Sequence, residues 1–229
     1  MKIILENHVK HDNYTEYICN KYDLQNTDKV ITEIPMINEK ELNEFDWNVG
    51  IICGNSGSGK STVLNNIGGV LKPIYDNDKS IVSQFPTLDE QSVCELLCSV
   101  GLSSIPAWLH KPNELSNGER ARLDLAWNLV NSKGPVVLID EYSSTVDRNY
   151  AKSMSYALQR YVRNKGIKII LATCHFDLMG YLRPDWVFNL NKQNNGKAEI
   201  ERLIYKDDED FDAYLKVNGE SILSKKYNV

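Results

Sequence analysis

An α/β fold, a mostly parallel sheet flanked by helices, is what this sequence predicts, and three observations predict it. Short β-branched apolar runs alternate with helix-like stretches along the chain. The apolar run 135–140 reads as a central parallel strand buried on both faces. A glycine-rich segment follows a second such run, at 49–53, and leads directly into a helix-like stretch.

Taken in order, the first 48 residues are rich in Asn, Asp, Glu and Tyr and are expected to supply a β-rich edge. Strands are expected at 49–53, 79–83, 135–140, 168–173 and 186–190, and helices at 60–67, 89–100, 117–131 and 149–164. Residues 193–196, Gln-Asn-Asn-Gly, read as a turn. An amphipathic strand follows near 199–204, and the acidic run 207–212 reads as solvated surface.

The chain has 229 residues, with 26 Lys+Arg against 31 Asp+Glu, a net charge of −5. That length predicts a single domain over 1–229, with an ordinary core. No apolar run approaches the roughly 18–20 residues a membrane span needs, and the start meets Glu6 too early for a secretory signal. The expectation is a cytoplasmic protein without membrane insertion. Net acidity argues against wholesale coating of nucleic acid. Cys19, Cys53, Cys94, Cys98 and Cys174 include no C-x-x-C and read as buried, reduced thiols.

Gly54-Asn55-Ser56-Gly57-Ser58-Gly59-Lys60-Ser61-Thr62 fits G-x-x-x-x-G-K-[ST], a phosphate-binding loop. Its glycines let backbone amides turn inward as an anion nest, and the following helix N-terminus adds positive potential. Lys60 is expected to reach the β- and γ-phosphates of a nucleotide, and the Ser61 hydroxyl to ligate Mg²⁺. The strand at 135–140 leads into Asp140-Glu141 at its carboxyl end, where ligands bind in open α/β folds. Asp140 can hold Mg²⁺ through water. Glu141, pointing the other way along the strand, can polarise an attacking water.

Further motifs carry a resemblance. Leu115-Ser116-Asn117-Gly118-Glu119 precedes a helical stretch, and Asp140 follows Leu115 by 25 positions. Gln84 is followed by Phe85-Pro86. Ser143-Ser144-Thr145-Val146-Asp147 places Asp147 seven residues after Asp140, and His175 follows the next strand. In this order the motifs resemble those of ATP-binding-cassette (ABC) ATPases: phosphate loop, Q-loop, signature, paired acids, D-loop and switch histidine. The resemblance implies a P-loop NTPase fold with a RecA-like core and a reduced helical signature subdomain at 85–120. It implies ATP and Mg²⁺, with Gln84 joining Ser61 and Asp140 at the metal. It also implies a homodimer in which each ATP contacts the phosphate loop of one subunit and Ser116, Asn117, Gly118 and Glu119 of the other. Glu141 would act as base, Gln84 and His175 would position water, metal and γ-phosphate, and Asp147 would couple the sites.

Two residues depart from the usual signature: Asn117 stands for the first glycine and Glu119 for the glutamine. Asn tolerates positive φ, and Ser116 with Glu119 forms an S-x-x-E capping box. The family's usual adenine-stacking aromatic has no evident counterpart. Tyr22 is a candidate, with core or surface packing the plainer reading.

Only 31 positions separate Gln84 from Leu115, which suits neither a large transporter-docking subdomain nor a long coiled coil. Residues 113–119, 140–148, 174–177 and 184–186 are similar to a soluble, non-transport group of ABC ATPases from bacteria, phages and mobile elements, some fused to an acetyltransferase-like domain. The expected function is a Mg²⁺-dependent ATPase acting on a protein or nucleic-acid partner. The alternatives are a transporter subunit and an ATP-gated binding module with little turnover. Between 148 and 168 the chain carries six basic residues and no acid. At helical spacing Lys152, Tyr156, Arg160 and Arg163 share a face, which reads either as solvated surface or as a nucleic-acid contact. Cys94 and Cys98 are expected to pack inward on a helix, and Trp108, Trp127 and Trp186 to anchor the core or subdomain.

Overall fold

The computed structural model describes residues 2–8, 10–24, 29–191 and 198–203. The turn expected at 193–196 and the acidic run 207–212 lie outside the described residues, as does the end of the strand expected at 199–204.

The chain opens as a ribbon. β1 (Lys2–His8) pairs antiparallel with β2 (Lys29–Pro35), from Lys2↔Pro35 at the base to His8↔Lys29 at the far end. Between them lies α1 (Asn13–Tyr22), which is started by an Asp12–Thr15 capping box and buries none of its residues. The ribbon meets the rest of the molecule at Ile34 and Ile37, both buried, before the short α2 (Glu39–Leu42).

The core sheet has the order β4 (Val137–Ile139), β5 (Ile169–Thr173), β3 (Val49–Cys53), β6 (Trp186–Asn189) and β7 (Ile200–Arg202). The first four run parallel, and β7 pairs antiparallel at the edge. β3 and β5 are buried along their whole length, so their runs are continuously apolar rather than alternating. Val49, Ile51 and Cys53 face a cluster contributed by α4 (Glu90–Ser99), α6 (Asn117–Asn131) and α7 (Arg148–Asn164). Ile52 faces the opposite cluster, with Val63 and Leu64 of α3 (Lys60–Ile67) and with Trp47, Trp186 and Phe188. Between α4 and α6 lie the short α5 (Ile105–Trp108) and a 3₁₀ turn, and α8 (Met179–Leu182) packs on α7.

Gly50 is a requirement of packing. A Cβ there would lie 2.1 Å from the Trp186 indole, which is wholly buried and meets Trp47 edge-on at 5.5 Å. The same corner is fastened by Asp185, whose carboxylate accepts from the amides of Asn48 and Val49 at 2.8 Å and from Arg163 at 2.9 Å.

Several expectations are corrected. Residues 79–83 form no strand; Ile81–Gln84 is a 3₁₀ turn. The carboxamide of Gln84 donates to the carbonyls of Asp76, Lys79 and Ser80, which draws the segment back on itself instead of into a ladder. β4 ends at Ile139, so a turn and not strand alternation directs Asp140 and Glu141. Arg163 turns inward to Asp185, leaving Lys152, Tyr156 and Arg160 of the expected face. Of the five cysteines, only Cys53 is buried, and Cys98 is exposed.

Candidate functional site

Three loops leave the carboxyl ends of neighbouring strands. The phosphate loop follows β3, Cys174 and His175 follow β5, and Asp140-Glu141 follows β4. Because β5 lies between β3 and β4, the strand that leads to Asp140 lies two strand spacings, about 9.5 Å, from the strand that leads to the phosphate loop. His175, which follows β5, stands in the row between them.

The phosphate loop is turned by Gly57 (φ 78°) and Gly59 (φ 96°), both in the left-handed region that glycine reaches without strain. Its close turn leaves no room at Gly54, where a Cβ would meet Ser58 Oγ at 2.5 Å. Lys60 is buried, and its ammonium donates to the carbonyls of Gly54 (3.0 Å) and Asn55 (2.9 Å). α3 begins at Gly59 without a side-chain cap, so its first amides are available to an anion. Ser58 Oγ is buried without a partner. An orphaned hydroxyl, uncapped amides and a lysine resting on loop carbonyls fit a polyphosphate. Ser61, in the first turn of α3, and Asp140 are oxygen donors suited to Mg²⁺.

The loop is also held from a direction the motif does not reveal. Asn191, just past β6, accepts from the Asn55 amide at 3.0 Å and returns its own side-chain amide to Asn55 Oδ1 at 3.2 Å. Asn191 is itself oriented by Asn189 Oδ1, which accepts its backbone amide.

The turn after β4 places two non-glycine residues in the left-handed region, Glu141 (φ 51°) and Ser143 (φ 66°). Such backbone is held only where the surroundings determine it. Asp140 Oδ1 accepts from the Glu141 amide at 2.9 Å. The buried Tyr142 is pinned to β5, its amide donating to Ala172 O and its carbonyl accepting from Thr173 Oγ1. Tyr142 hydroxyl meets Ser155 Oγ at 2.9 Å, and burial pushes the phenol above its ordinary value. The Glu141 side chain is exposed at the mouth of this turn. Ser143 Oγ lies 2.8 Å from His175 Nδ1, joining the D-loop segment to the histidine. Arg148 makes an ion pair with Asp177, a second tie between the same two segments. Asp147 caps α7 through the amides of Asn149 and Tyr150.

Ser116 and Glu119 form the expected capping box at the start of α6. The hydroxyl of Ser116 donates to the Glu119 carboxylate at 2.6 Å. Hydrogen bonds from Ser116 hold that carboxyl below its usual range. Asn117 lines a cleft of about 410 Å³ together with Asp140, Glu141 and Ser144. The Gln84 carboxamide is engaged by the 76–80 loop, also accepting from the Asp76 amide at 3.0 Å. Tyr22 is exposed at the end of α1.

Asn191, Ser143 and Arg148 carry no sequence signal for these roles, because each acts on a segment remote along the chain. Only the strand order brings them together.

No protein-family model matches the chain. It is 26% identical to the ABC transporter ATP-binding protein YtrE of Bacillus subtilis, covering 62% of this chain and 79% of that protein. It is 30% identical to the thiamine import ATP-binding protein ThiQ of Jannaschia sp., covering 53% of this chain and 69% of that one. Among solved structures, cbiO1 of Clostridium perfringens, part of the ABC transporter complex cbiONQ, superposes with a TM-score of 0.52 at 20% identity, covering 88% of this chain and 87% of that one. The post-hydrolysis dimer of the ATP-binding cassette MJ0796 with ADP and Pi has a TM-score of 0.50 at 20% identity, covering 69% and 86%.

Proposed function

Because the chain belongs to the ABC ATPases, which hydrolyse ATP with Mg²⁺, we propose that it works outside transport, as a homodimer that closes on ATP and drives a conformational change in a protein or nucleic-acid partner. The observation that carries the chemistry is the row of loops on β3, β5 and β4, which lines up phosphate loop, His175 and Asp140-Glu141. Against transport stands the short interval between Gln84 and Leu115, filled by α4, α5 and one 3₁₀ turn.

A bound Mg²⁺ would supply neutralisation of the negative charge on the phosphates during phosphoryl transfer. Ser61 and Asp140 hold it in this reading. Lys60 leaves the carbonyls of Gly54 and Asn55 for the phosphates and preserves its hydrogen bonds in the exchange. Glu141, on its fixed turn, takes the proton of the attacking water. His175, steadied by Ser143, faces the same γ-phosphate. Gln84 joins the metal only by releasing the 76–80 loop. Ser116, Asn117, Gly118 and Glu119 complete the site of the opposite subunit, the Ser116 hydroxyl exchanging the Glu119 carboxylate for phosphate. Asp147 lies at the subunit boundary.

Glu141→Gln is expected to slow phosphate release at least about 100-fold, the contribution of a general base, and to accumulate an ATP-bound dimer in sedimentation. Turnover at the parental rate would remove Glu141 from this role.

The second reading, an ATP-binding transporter subunit, is favoured by what YtrE and ThiQ are named for. No described helix is long and apolar enough to cross a membrane, so this reading requires a separate permease. Stable sedimentation with membranes through such a partner would favour it over the first.

A further inference from the structure

Three elements converge on Gly101, which follows α4 in the left-handed region (φ 82°). A Cβ there would lie 3.0 Å from Tyr150 Cε1, 3.2 Å from Arg122 Cδ and 3.3 Å from Met154 Cγ. The backbone after α4 is thus seated in a socket made by α6 and α7. Tyr150 closes the socket: its hydroxyl donates to Gly101 O at 2.5 Å and lies 3.2 Å from Ser103 Oγ. The Arg122 guanidinium stacks on the ring, 4.7 Å from its centroid.

The same two residues touch the motifs. Arg122 lies one turn beyond Gly118 on α6, and a Cβ on Gly118 would stand 3.1 Å from Thr145 O and 3.6 Å from an Arg122 guanidinium nitrogen. Tyr150 donates its amide to Asp147 Oδ1 at 3.2 Å. Thr145, Gly118, Arg122, Tyr150 and Asp147 therefore form a closed ring of contacts that returns to its start within two residues of chain.

We propose that Arg122 and Tyr150 form a joint that fixes the signature turn, 116–119, against the D-loop, 143–147, of the same chain, so that the two move as one body when ATP is engaged. The inference rests on the dimer reading above and adds to it a coupling path inside each subunit. Packed contacts of this kind transmit displacement because they shift between discrete arrangements and do not deform continuously. Neither residue belongs to the phosphate, metal or proton-transfer groups, so both are positioning residues.

The test uses the full chain in a Glu141→Gln background, with Arg122→Leu, Tyr150→Leu, the double variant, and the milder Arg122→Lys and Tyr150→Phe. Two quantities are read: ATP affinity of the dilute monomer, and the dimer dissociation constant in saturating ATP by sedimentation. Monomer affinity is expected to stay within about twofold, since the phosphate loop lies on β3 and α3. Each leucine variant should weaken the dimer roughly tenfold, the size of an ordinary coupling between sites. The double variant should match the single ones, and Arg122→Lys should restore most of the loss. With Glu141 intact, kcat should fall while KM holds. Dimerisation and turnover at parental levels in the leucine variants, or strictly additive losses in the double, would overturn the joint. If the leucine variants do not fold, Tyr150→Phe decides: about a threefold weaker dimer upholds the joint, and an unchanged dimer removes it. A Glu141→Gln parent that fails to dimerise in ATP sinks the dimer reading and the joint with it; a parent that dimerises beside unaffected variants sinks the joint alone.

Discussion

At the scale of single residues, Asn191 shows how the glycine-rich loop is held by a group that no loop motif contains. Its reciprocal carboxamide contact with Asn55 removes freedom from the residue after Gly54, so the phosphate loop keeps its turn before any nucleotide arrives. Asn191→Ala is expected to raise the KM for ATP about 3–10-fold, the value of one or two uncharged hydrogen bonds, with kcat within about twofold. Steady-state kinetics check it, and an unchanged KM would detach Asn191 from the loop. The capping box of Ser116 and Glu119 was legible in the sequence because both partners lie within one helical turn. The Asn55–Asn191 pair was not, being 136 positions apart. Gln84 belongs to a third kind: its motif was legible, but the carbonyls of Asp76, Lys79 and Ser80 that occupy it depend on a turn the local sequence disguises as a strand.

At the scale of elements, β3 joins fold and site. Its five buried residues carry the phosphate loop, and its one glycine exists to admit an indole from β6. Gly50→Ala places a methyl group inside the Trp186 ring, and is expected to cost about 3 kcal/mol through overpacking. The measurement is the urea midpoint; Trp186→Phe in the same chain should recover part of the loss, and full stability of Gly50→Ala alone would contradict the packing described. The bounds of β3, α3 and α6 were readable to the residue because hydrophobic period, glycine turn and cap agree there. Arg163 was misplaced on the outer face because helical period reports an angle around α7 and says nothing of Asp185, brought beneath it from the loop before β6.

For the whole molecule, a nucleotide that binds the folded chain must stabilise it by mass action. At about 100 times its dissociation constant ATP should add roughly 2.7 kcal/mol, a rise of about 5–10 °C in Tm for a chain of this size. The rise should shrink when Mg²⁺ is chelated and vanish in Lys60→Ala; thermal melts in the three conditions check it. A melt indifferent to ATP would contradict nucleotide binding by the folded protein. Fold class was legible at this scale because alternating strand and helix patterns admit few parallel arrangements. The ribbon of β1 and β2 was legible only as an edge, since its pairing spans a helix whose residues are all surface.

The order of the sheet also fixes an order of assembly. β5 lies between β3 and β4 but is synthesised after both, so until residues 169–173 leave the ribosome no strand joins the phosphate loop to Asp140. A nascent chain can carry every residue of the loop and both acids and still have no site. Its competence arrives with one late insertion, a long-range closure of the slow kind, and truncation ahead of that strand should yield a chain that never gains activity in part.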